Sequence, residues 1–319
     1  MNRQASQGLP VHAREMVMEQ SPTRWDDWRT AGLVVITATT ICLYCLGVLF
    51  DTSTMTALAS ATLLIFGMPH GSFDLALLQR HSTGRGLFGS RIALILLYLA
   101  CAGVMYLLWR AAPLAALTAF LLVSVIHFAE DWEGCGSPFI AGGIALALIS
   151  APSLSHGDSL GTLFVTLSGR ASAAILADCL LLVAPTMLLL AIAGVAMLWH
   201  IGRRPLALSA ACALLAMLVL PPVMGFALFF CLVHSPIQFR SHATALGLRG
   251  VDQWGGTVIP LSLGGLGIAV AIFALGGGQS LPDGIFASSF MALSVLTAPH
   301  MAVPMILRMA QGQKAPVHI

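Results

Sequence analysis

The sequence predicts an all-α, polytopic transmembrane helical bundle of about eight to ten spans, on the evidence of composition and run length. Hydrophobic residues fill 58% of the 319 positions, whereas charged residues fill only 9%. A soluble domain cannot cover its surface with so few charges, so the chain is predicted to lie in a membrane. Apolar runs of about 20 residues recur along it, the length that a helix needs to cross a bilayer.

Ten apolar segments are candidate spans, with polar or proline-containing breaks between them. The stretch 156–175 is more polar than its neighbours and is compatible with a re-entrant or interfacial segment. The ten predicted segments cover residues 31–50, 55–78, 90–109, 111–132, 139–155, 176–200, 206–220, 222–238, 258–278 and 284–307.

The polar ends of the chain flank a single predicted domain. Residues 1–30 are too mixed in charge for a cleavable signal and are predicted to be a flexible cytoplasmic tail. Residues 31–307 are predicted to form one transmembrane domain, followed by a cytoplasmic tail at 308–319. With the N-terminus inside, all 15 Lys and Arg residues except Arg110 and Arg170 lie on the cytoplasmic side. The net charge of +2 is scattered, so no nucleic-acid surface is predicted.

Four histidines lie inside the predicted spans at nearly one depth: His70, His127, His234 and His300. With ten spans, each lies roughly 18–24 Å from the outer end of its helix. Ionisable groups are costly at such depth and usually mark a site of chemistry or transport. Neutral imidazoles without thiolates suit Fe(II), Zn(II) or Cu, so the four histidines are predicted to hold a metal ion together.

Three acidic residues follow two of these histidines at helical spacing. Asp74 comes four residues after His70, so it shares a helix face with it and is predicted to accept an imidazole N–H or to orient a neighbouring ligand. Glu130 and Asp131 follow His127 by three and four residues. These two are explained equally well as partners of the site or as the polar end of a helix at the water interface.

Four blocks around the histidines resemble, in order and spacing, the signature regions of the Brp/Blh family of membrane-bound β-carotene dioxygenases. They read GMPHGSFDLALL, FLLVSVIHFAEDW, FFCLVHSPIQF and LTAPHMAVP, and Pro-His-Gly followed by Asp is the most distinctive. The resemblance implies that the domain uses Fe(II) and O₂ to cleave the central 15,15′ double bond of β-carotene into two retinals. His70, His127 and His234 would be iron ligands. It also implies a prokaryotic cell membrane and a retinal-binding rhodopsin as product acceptor.

The sequence departs from the family pattern on the helix of the third histidine. The family continues as His-Ser-x-Arg-His, whereas Ile237 and Gln238 stand here where Arg and His are expected. Gln238 shares a helix face with His234 and is predicted to be a weaker ligand through its amide oxygen. His300 is predicted to complete the ligand set, and Asp74 is the predicted catalytic carboxylate.

Other residues of the site helices carry less specific predictions. Phenylalanines on these helices either line a tunnel for the polyene or simply pack the helices. Histidines in tails, loops or helix ends are predicted to be solvated or interfacial. The phenylalanines are Phe66, Phe73, Phe128, Phe226, Phe229 and Phe230, and the histidines are His12, His81, His156, His200, His242 and His318.

Three other functions are compatible with histidines in a membrane. A haem protein would pair them across porphyrins, usually at two depths, whereas these four share one layer. A di-iron hydroxylase or desaturase would carry HxxxH and HxxHH clusters, and the sequence contains neither. A metal transporter would spread its ligands along a pore and is often built from inverted repeats. The sequence shows no such repeat, but an intramembrane metal transporter and a haem-binding protein stay as the alternatives.

Overall fold

A computed structural model describes most of the chain, and its regular secondary structure is helical throughout the described residues. The predicted tails lie mainly outside them, and the first helix begins at Arg24, inside the predicted N-terminal tail. The described residues are 24–48, 52–74, 76–77, 91–248, 251–275 and 281–310.

Twelve α-helices lie within these ranges, together with three short 3₁₀ helices and one π-helical turn. The 3₁₀ helices are Met68–Phe73, Glu130–Cys135 and Ala171–Ala174, and the π-helical turn is Phe230–His234. The α-helices are α1 (Arg24–Cys45), α2 (Thr52–Gly67), α3 (Arg91–Ala111), α4 (Pro113–Ala129), α5 (Pro138–Ser150), α6 (Pro152–Ser168), α7 (Ile175–His200), α8 (Arg204–Val219), α9 (Pro222–Phe229), α10 (Ser235–Leu246), α11 (Val251–Leu275) and α12 (Leu281–Ala310).

Proline determines where many of these helices begin. Its fixed φ suits the first helical turn, and its missing N–H is harmless there because that turn has no acceptor for it. Ser137 adds a side-chain cap to α5 by accepting a hydrogen bond from the Ile140 amide at 3.5 Å. The prolines in first turns are Pro113, Pro138, Pro152, Pro205, Pro222 and Pro236.

The apolar helices confirm a polytopic helical bundle, although fewer of them are full-length spans than the ten predicted segments. In the described part of the chain, 6 helices are long and apolar enough to cross a membrane, and the bent pair α5–α6 makes up to 7. Each predicted segment contains a helix, but α2 ends at Gly67, ahead of Pro69, and α8 has only 16 residues. The predicted re-entrant stretch 156–175 belongs largely to α6, which bends by 51° from α5.

Helix packing in this bundle depends on close contact, because the lipid around it is as apolar as the side chains themselves. Helix α12 packs against α2, α3 and α11, while α5 packs against α4 and α7. At the α5–α7 contact, a Cβ atom on Gly194 of α7 would lie 2.7 Å from the Cγ2 atom of Ile140 and 2.9 Å from the Cδ1 atom of Ile144. A methyl group at Gly194 would therefore overlap these isoleucine side chains, so glycine allows α5 and α7 to pack more closely than alanine would.

A second close approach holds α9, the helix that leads to His234. A Cβ atom on Gly225 would lie 2.8 Å from the carbonyl oxygen of Ala216 and 3.1 Å from the Cα atom of Met217. Both atoms belong to the backbone of α8 and cannot move aside as a side chain can. Gly225 therefore keeps α9 against α8.

Substitution of Gly225 by Ala is expected to destabilise the protein, because α8 and α9 must separate to admit the new methyl group. Overpacking of this kind costs about 1–3 kcal/mol. The measurement is the thermal unfolding midpoint in detergent. Gly142→Ala is the matched control, since a Cβ atom there meets nothing within 4 Å. Equal midpoints for the two variants would contradict the packing argument.

Candidate functional site

The first site histidine lies in the last turn of α4. His127 is 2% exposed, and its Nδ1 atom lies 3.2 Å from Oε2 of Glu130, one turn further along the chain. The side chain of Glu130 is 44% exposed, whereas that of Asp131 is fully buried. This difference in exposure arises because the 3₁₀ helix that continues α4 turns Asp131 and Trp132 inward. The two acidic residues are therefore not simply a polar helix end in water.

The second histidine occupies the π-helical turn between α9 and α10. His234 is fully buried, and its Nδ1 atom lies 2.7 Å from Oδ2 of Asp131. A π-helical turn inserts an extra residue into a helix and frequently occurs at functional sites. Asp131 thus pairs with a histidine 103 positions away rather than with His127, its neighbour in sequence.

The third histidine, His300, follows Pro299 within α12. Its Nδ1 atom lies 2.8 Å from each carboxylate oxygen of Asp74, which is 6% exposed. The sequence led us to expect Asp74 beside His70. The backbone of His70 lies in the 3₁₀ helix Met68–Phe73, but its side chain lies outside the described residues. The predicted role of His70 as a metal ligand therefore stays a prediction.

The rings of His127, His234 and His300 lie together in the interior. The ring centroid of His127 is 4.6 Å from that of His234 and 4.8 Å from that of His300, and both pairs meet edge to face. In every case Nδ1 faces a carboxylate oxygen, and since an ionised carboxylate can only accept, we assign the proton to Nδ1 and the lone pair to Nε2. The structure thus brings three of the four predicted histidines into one cluster.

This cluster has the donor chemistry of a metal site. Histidines that bind metals usually donate their other ring N–H to a carboxylate, a backbone carbonyl or water, and Nδ1 of each of these three lies within hydrogen-bond distance of a carboxylate oxygen. In the part of the chain that the structure describes, no group of three or more His, Cys, Asp and Glu side chains is already converged around one ion position. The side chains fit a metal in type and pairing, and the fourth predicted histidine has no described side chain.

Gln238 contacts this cluster through a carboxylate. Its Nε2 atom donates to Oδ1 of Asp131 at 2.9 Å, and its side chain is buried. The assignment of nitrogen rather than oxygen to this contact follows from chemistry, because an ionised carboxylate has no hydrogen to donate. The weaker ligand role that the sequence predicted for Gln238 would use the other end of the same amide.

The structure adds two residues that the sequence did not single out as part of the site, and it decides the position of a third. Asp131 was ambiguous, and its burial decides that it belongs to the interior. Tyr98 on α3 donates to Oδ2 of Asp74 at 3.1 Å. His242, predicted to be solvated or interfacial, has its ring centroid 5.9 Å from that of His300. Only Asp131 carried a sequence signal, its position four residues after His127.

Phenylalanine rings enclose His234. The ring centroids of Phe128, Phe230 and Phe229 lie 4.9, 5.0 and 6.1 Å from that of His234. Of the other phenylalanines noted in the sequence, Phe66 is exposed, and Phe73 is buried against Phe239. The rings around His234 exclude water from one side of the histidine cluster.

An apolar cavity adjoins these phenylalanine rings. Phe128 both lines the cavity and packs against His234, and Phe226, another lining residue, packs against Phe128, so the cavity reaches the neighbourhood of His234. Among the described residues of its wall, Ser124 supplies the only polar side chain. The lining residues are Phe120, Leu121, Ser124, Phe128, Ile149, Pro152, Leu160, Leu163, Phe164, Leu167, Met217, Pro222, Val223, Phe226, Phe286 and Phe290.

Comparison with known proteins agrees with the motif resemblance. The family model of β-carotene 15,15′-dioxygenase matches residues 61–308, which include all three clustered histidines and their carboxylates. The β-carotene 15,15′-dioxygenase of the uncultured marine bacterium 66A03 is 26% identical over 254 residues, covering 76% of this chain and 90% of the relative. No solved structure is significantly similar to the chain. The chain therefore belongs to the β-carotene 15,15′-dioxygenase family.

Proposed function

We propose that this protein cleaves β-carotene at its central 15,15′ double bond with O₂ and releases two molecules of retinal. The observation that carries the proposal is a cluster of carboxylate-paired histidines beside an apolar cavity in a chain of this family. The reaction balances without a further reductant. The C=C bond breaks, both atoms of O₂ enter the products, and one C=O bond forms on each half.

The metal that we propose for the site is Fe(II), held by His70, His127, His234 and His300. Neutral imidazoles retain the positive charge of the ion, and a ligand set of histidines alone leaves positions open for O₂. When bound, iron supplies the redox chemistry that lets O₂ react with an alkene, which protein side chains alone do not provide. The carboxylate at each described ring fits this assignment, because it holds the imidazole in the tautomer that binds a metal through Nε2.

Glu130, Asp131 and Asp74 hold the protons at Nδ1 of their respective histidines and orient the three rings. Asp74, the carboxylate predicted to be catalytic, acts in this proposal through His300 rather than on the substrate. The phenylalanines around His234 keep water from the reacting double bond.

The apolar cavity is proposed to receive one arm of the polyene. β-Carotene is a hydrocarbon about as long as the membrane core is thick, roughly 30 Å, and it dissolves in lipid rather than in water. The described part of the cavity wall offers hydrocarbon surface with a single hydroxyl group, that of Ser124, as such a substrate requires. A path for hydrated metal ions would need many polar wall groups, so the cavity supports an enzyme rather than a transporter.

We further propose the setting in which this chemistry occurs. The protein lies in the cell membrane of a prokaryote with its N-terminus in the cytoplasm, the orientation in which the ten-span topology predicted from the sequence places nearly all Lys and Arg residues inside. Residues 31–307 form the catalytic domain between two cytoplasmic tails. Substrate arrives from the surrounding lipid, and a retinal-binding rhodopsin accepts the product.

Removal of one clustered histidine tests the metal and the reaction together. His234→Ala is expected to lower iron content and to reduce retinal yield at least about 100-fold, because a direct bond to the metal is lost. The measurements are iron by mass spectrometry on purified protein and retinal by HPLC from carotene-producing cells. His200→Ala, which removes an exposed histidine at the end of α7, is the control. Iron and retinal at wild-type levels in His234→Ala would refute the proposed site.

Filling the cavity tests the substrate site without touching the histidines. Leu163→Trp places a bulky ring in the cavity wall and is expected to reduce β-carotene cleavage at least about tenfold while iron content is unchanged. Leu182→Trp is the matched control, because Leu182 is 82% exposed on the outer surface. Cleavage by Leu163→Trp at the control rate would show that the polyene binds elsewhere.

A further inference from the structure

Two of the three carboxylates in the histidine cluster are each held by a second, neutral hydrogen-bond donor. Asp131 receives the Nδ1 proton of His234 on Oδ2 at 2.7 Å and the amide of Gln238 on Oδ1 at 2.9 Å. Its two oxygens are therefore occupied by different residues. All three side chains are buried, so these contacts are made where water cannot substitute for them.

The second carboxylate also has two partners, but Nδ1 of His300 is equally close to both of its oxygens. Asp74 lies 2.8 Å from Nδ1 of His300, and its Oδ2 atom also accepts a hydrogen bond from the hydroxyl of Tyr98 at 3.1 Å. The hydroxyl additionally lies 3.4 Å from the carbonyl oxygen of Leu296, one turn before His300. Tyr98 therefore contacts both the carboxylate and the helix that carries the histidine.

A second donor matters because an aspartate carboxylate is easily turned. Rotation about its terminal bond has a broad energy profile, so one hydrogen bond alone leaves the carboxylate plane poorly defined. A second donor on the carboxylate restricts that rotation, at the free oxygen in Asp131 and at Oδ2 in Asp74. The imidazole that donates to the carboxylate is then fixed as well, and with it the direction of its Nε2 lone pair.

We propose that Gln238 and Tyr98 are positioning residues that fix the direction of the Nε2 atoms of His234 and His300 through Asp131 and Asp74. The inference rests on the metal site of the proposed function, but it assigns Gln238 a role different from that of a ligand. As a positioning residue Gln238 acts through its N–H group, whereas as a ligand it would act through its oxygen. These two roles respond oppositely to one substitution.

The test uses the full-length, metal-free protein in detergent and Co(II) as the probe, whose visible d–d absorption reports ligand number and geometry. Gln238→Met keeps the length of the side chain and removes the donor. Tyr98→Phe keeps the ring and removes the hydroxyl. Both variants are expected to bind Co(II) about 10–100-fold more weakly and to change the d–d bands. Tyr106→Phe, a partly buried tyrosine on the same helix α3, is the control.

Gln238→Glu separates the two roles by the sign of its effect. At a pH high enough to ionise the introduced carboxylic acid, a positioning role predicts weaker Co(II) binding, because an ionised glutamate has no hydrogen to donate to Asp131 and repels it. A ligand role predicts tighter binding, because an anionic oxygen binds a divalent cation better than a neutral amide oxygen does. Tighter binding by this variant would overturn the inference for Gln238.

The stability of the metal-free proteins tests the simplest alternative, that the variants bind Co(II) more weakly only because they are less stably folded. The thermal unfolding midpoints of Gln238→Met and Tyr98→Phe without metal measure how much stability each lost hydrogen bond removes. A loss of stability alone does not change the d–d bands of protein saturated with Co(II), so changed bands report a changed ligand geometry. Unchanged affinity and bands in both variants, with a wild type that binds Co(II), would overturn the inference alone. A wild type that binds neither Co(II) nor Fe(II) would overturn it together with the proposed metal site.

Discussion

A histidine inside a membrane protein needs an acceptor for its N–H group, and this requirement organises the interior of the molecule. An unsatisfied polar group in hydrocarbon costs several kcal/mol, and solvent cannot reach these rings to repair the loss. Asp131 links the turn after α4 to the junction of α9 and α10 through His234. Asp74 links the segment after α2 to α12 through His300. The contacts that satisfy the histidines therefore also connect distant parts of the chain.

Phenylalanine rings separate the histidine cluster from the apolar cavity. Phe128 belongs to both, because it lines the apolar cavity and its ring packs against that of His234. The histidines and their carboxylates lie on one side of these phenylalanine rings, and the apolar cavity lies on the other. Such an arrangement suits a reaction between O₂ and a hydrocarbon, since the activating groups and the substrate need different surroundings.

The sequence predicted the helical class and the family, because each depends on composition or on residues close together in the chain. It did not predict the pairing between helices. Helical spacing placed Asp74 on the face of His70, whereas its described partner is His300, 226 positions away. Spacing along one helix cannot show which side chain of another helix completes a pair.

Two further differences have local causes. The acidic residues after His127 resembled a surface loop, but the 3₁₀ helix Glu130–Cys135 turns Asp131 inward, and the thiol of Cys135 donates to the carbonyl oxygen of Trp132 at 2.8 Å within it. Among the described residues, some apolar helices are shorter than a full span, and proline divides one predicted span at Pro152, between α5 and α6. Hydropathy measures how apolar a run is, but it does not register where its backbone bends.

The π-helical turn Phe230–His234 has a consequence for how this region can change. A residue added to or removed from a regular helix rotates everything after it by about 100°. A turn that already contains one extra residue can lose it and return to a regular helix. The angular offset between Phe229, which faces the other phenylalanine rings, and His234, which faces Asp131, is therefore adjustable by a single deletion. A single deletion during evolution would therefore change the direction of His234 relative to the apolar cavity and leave the rest of α9 and α10 intact.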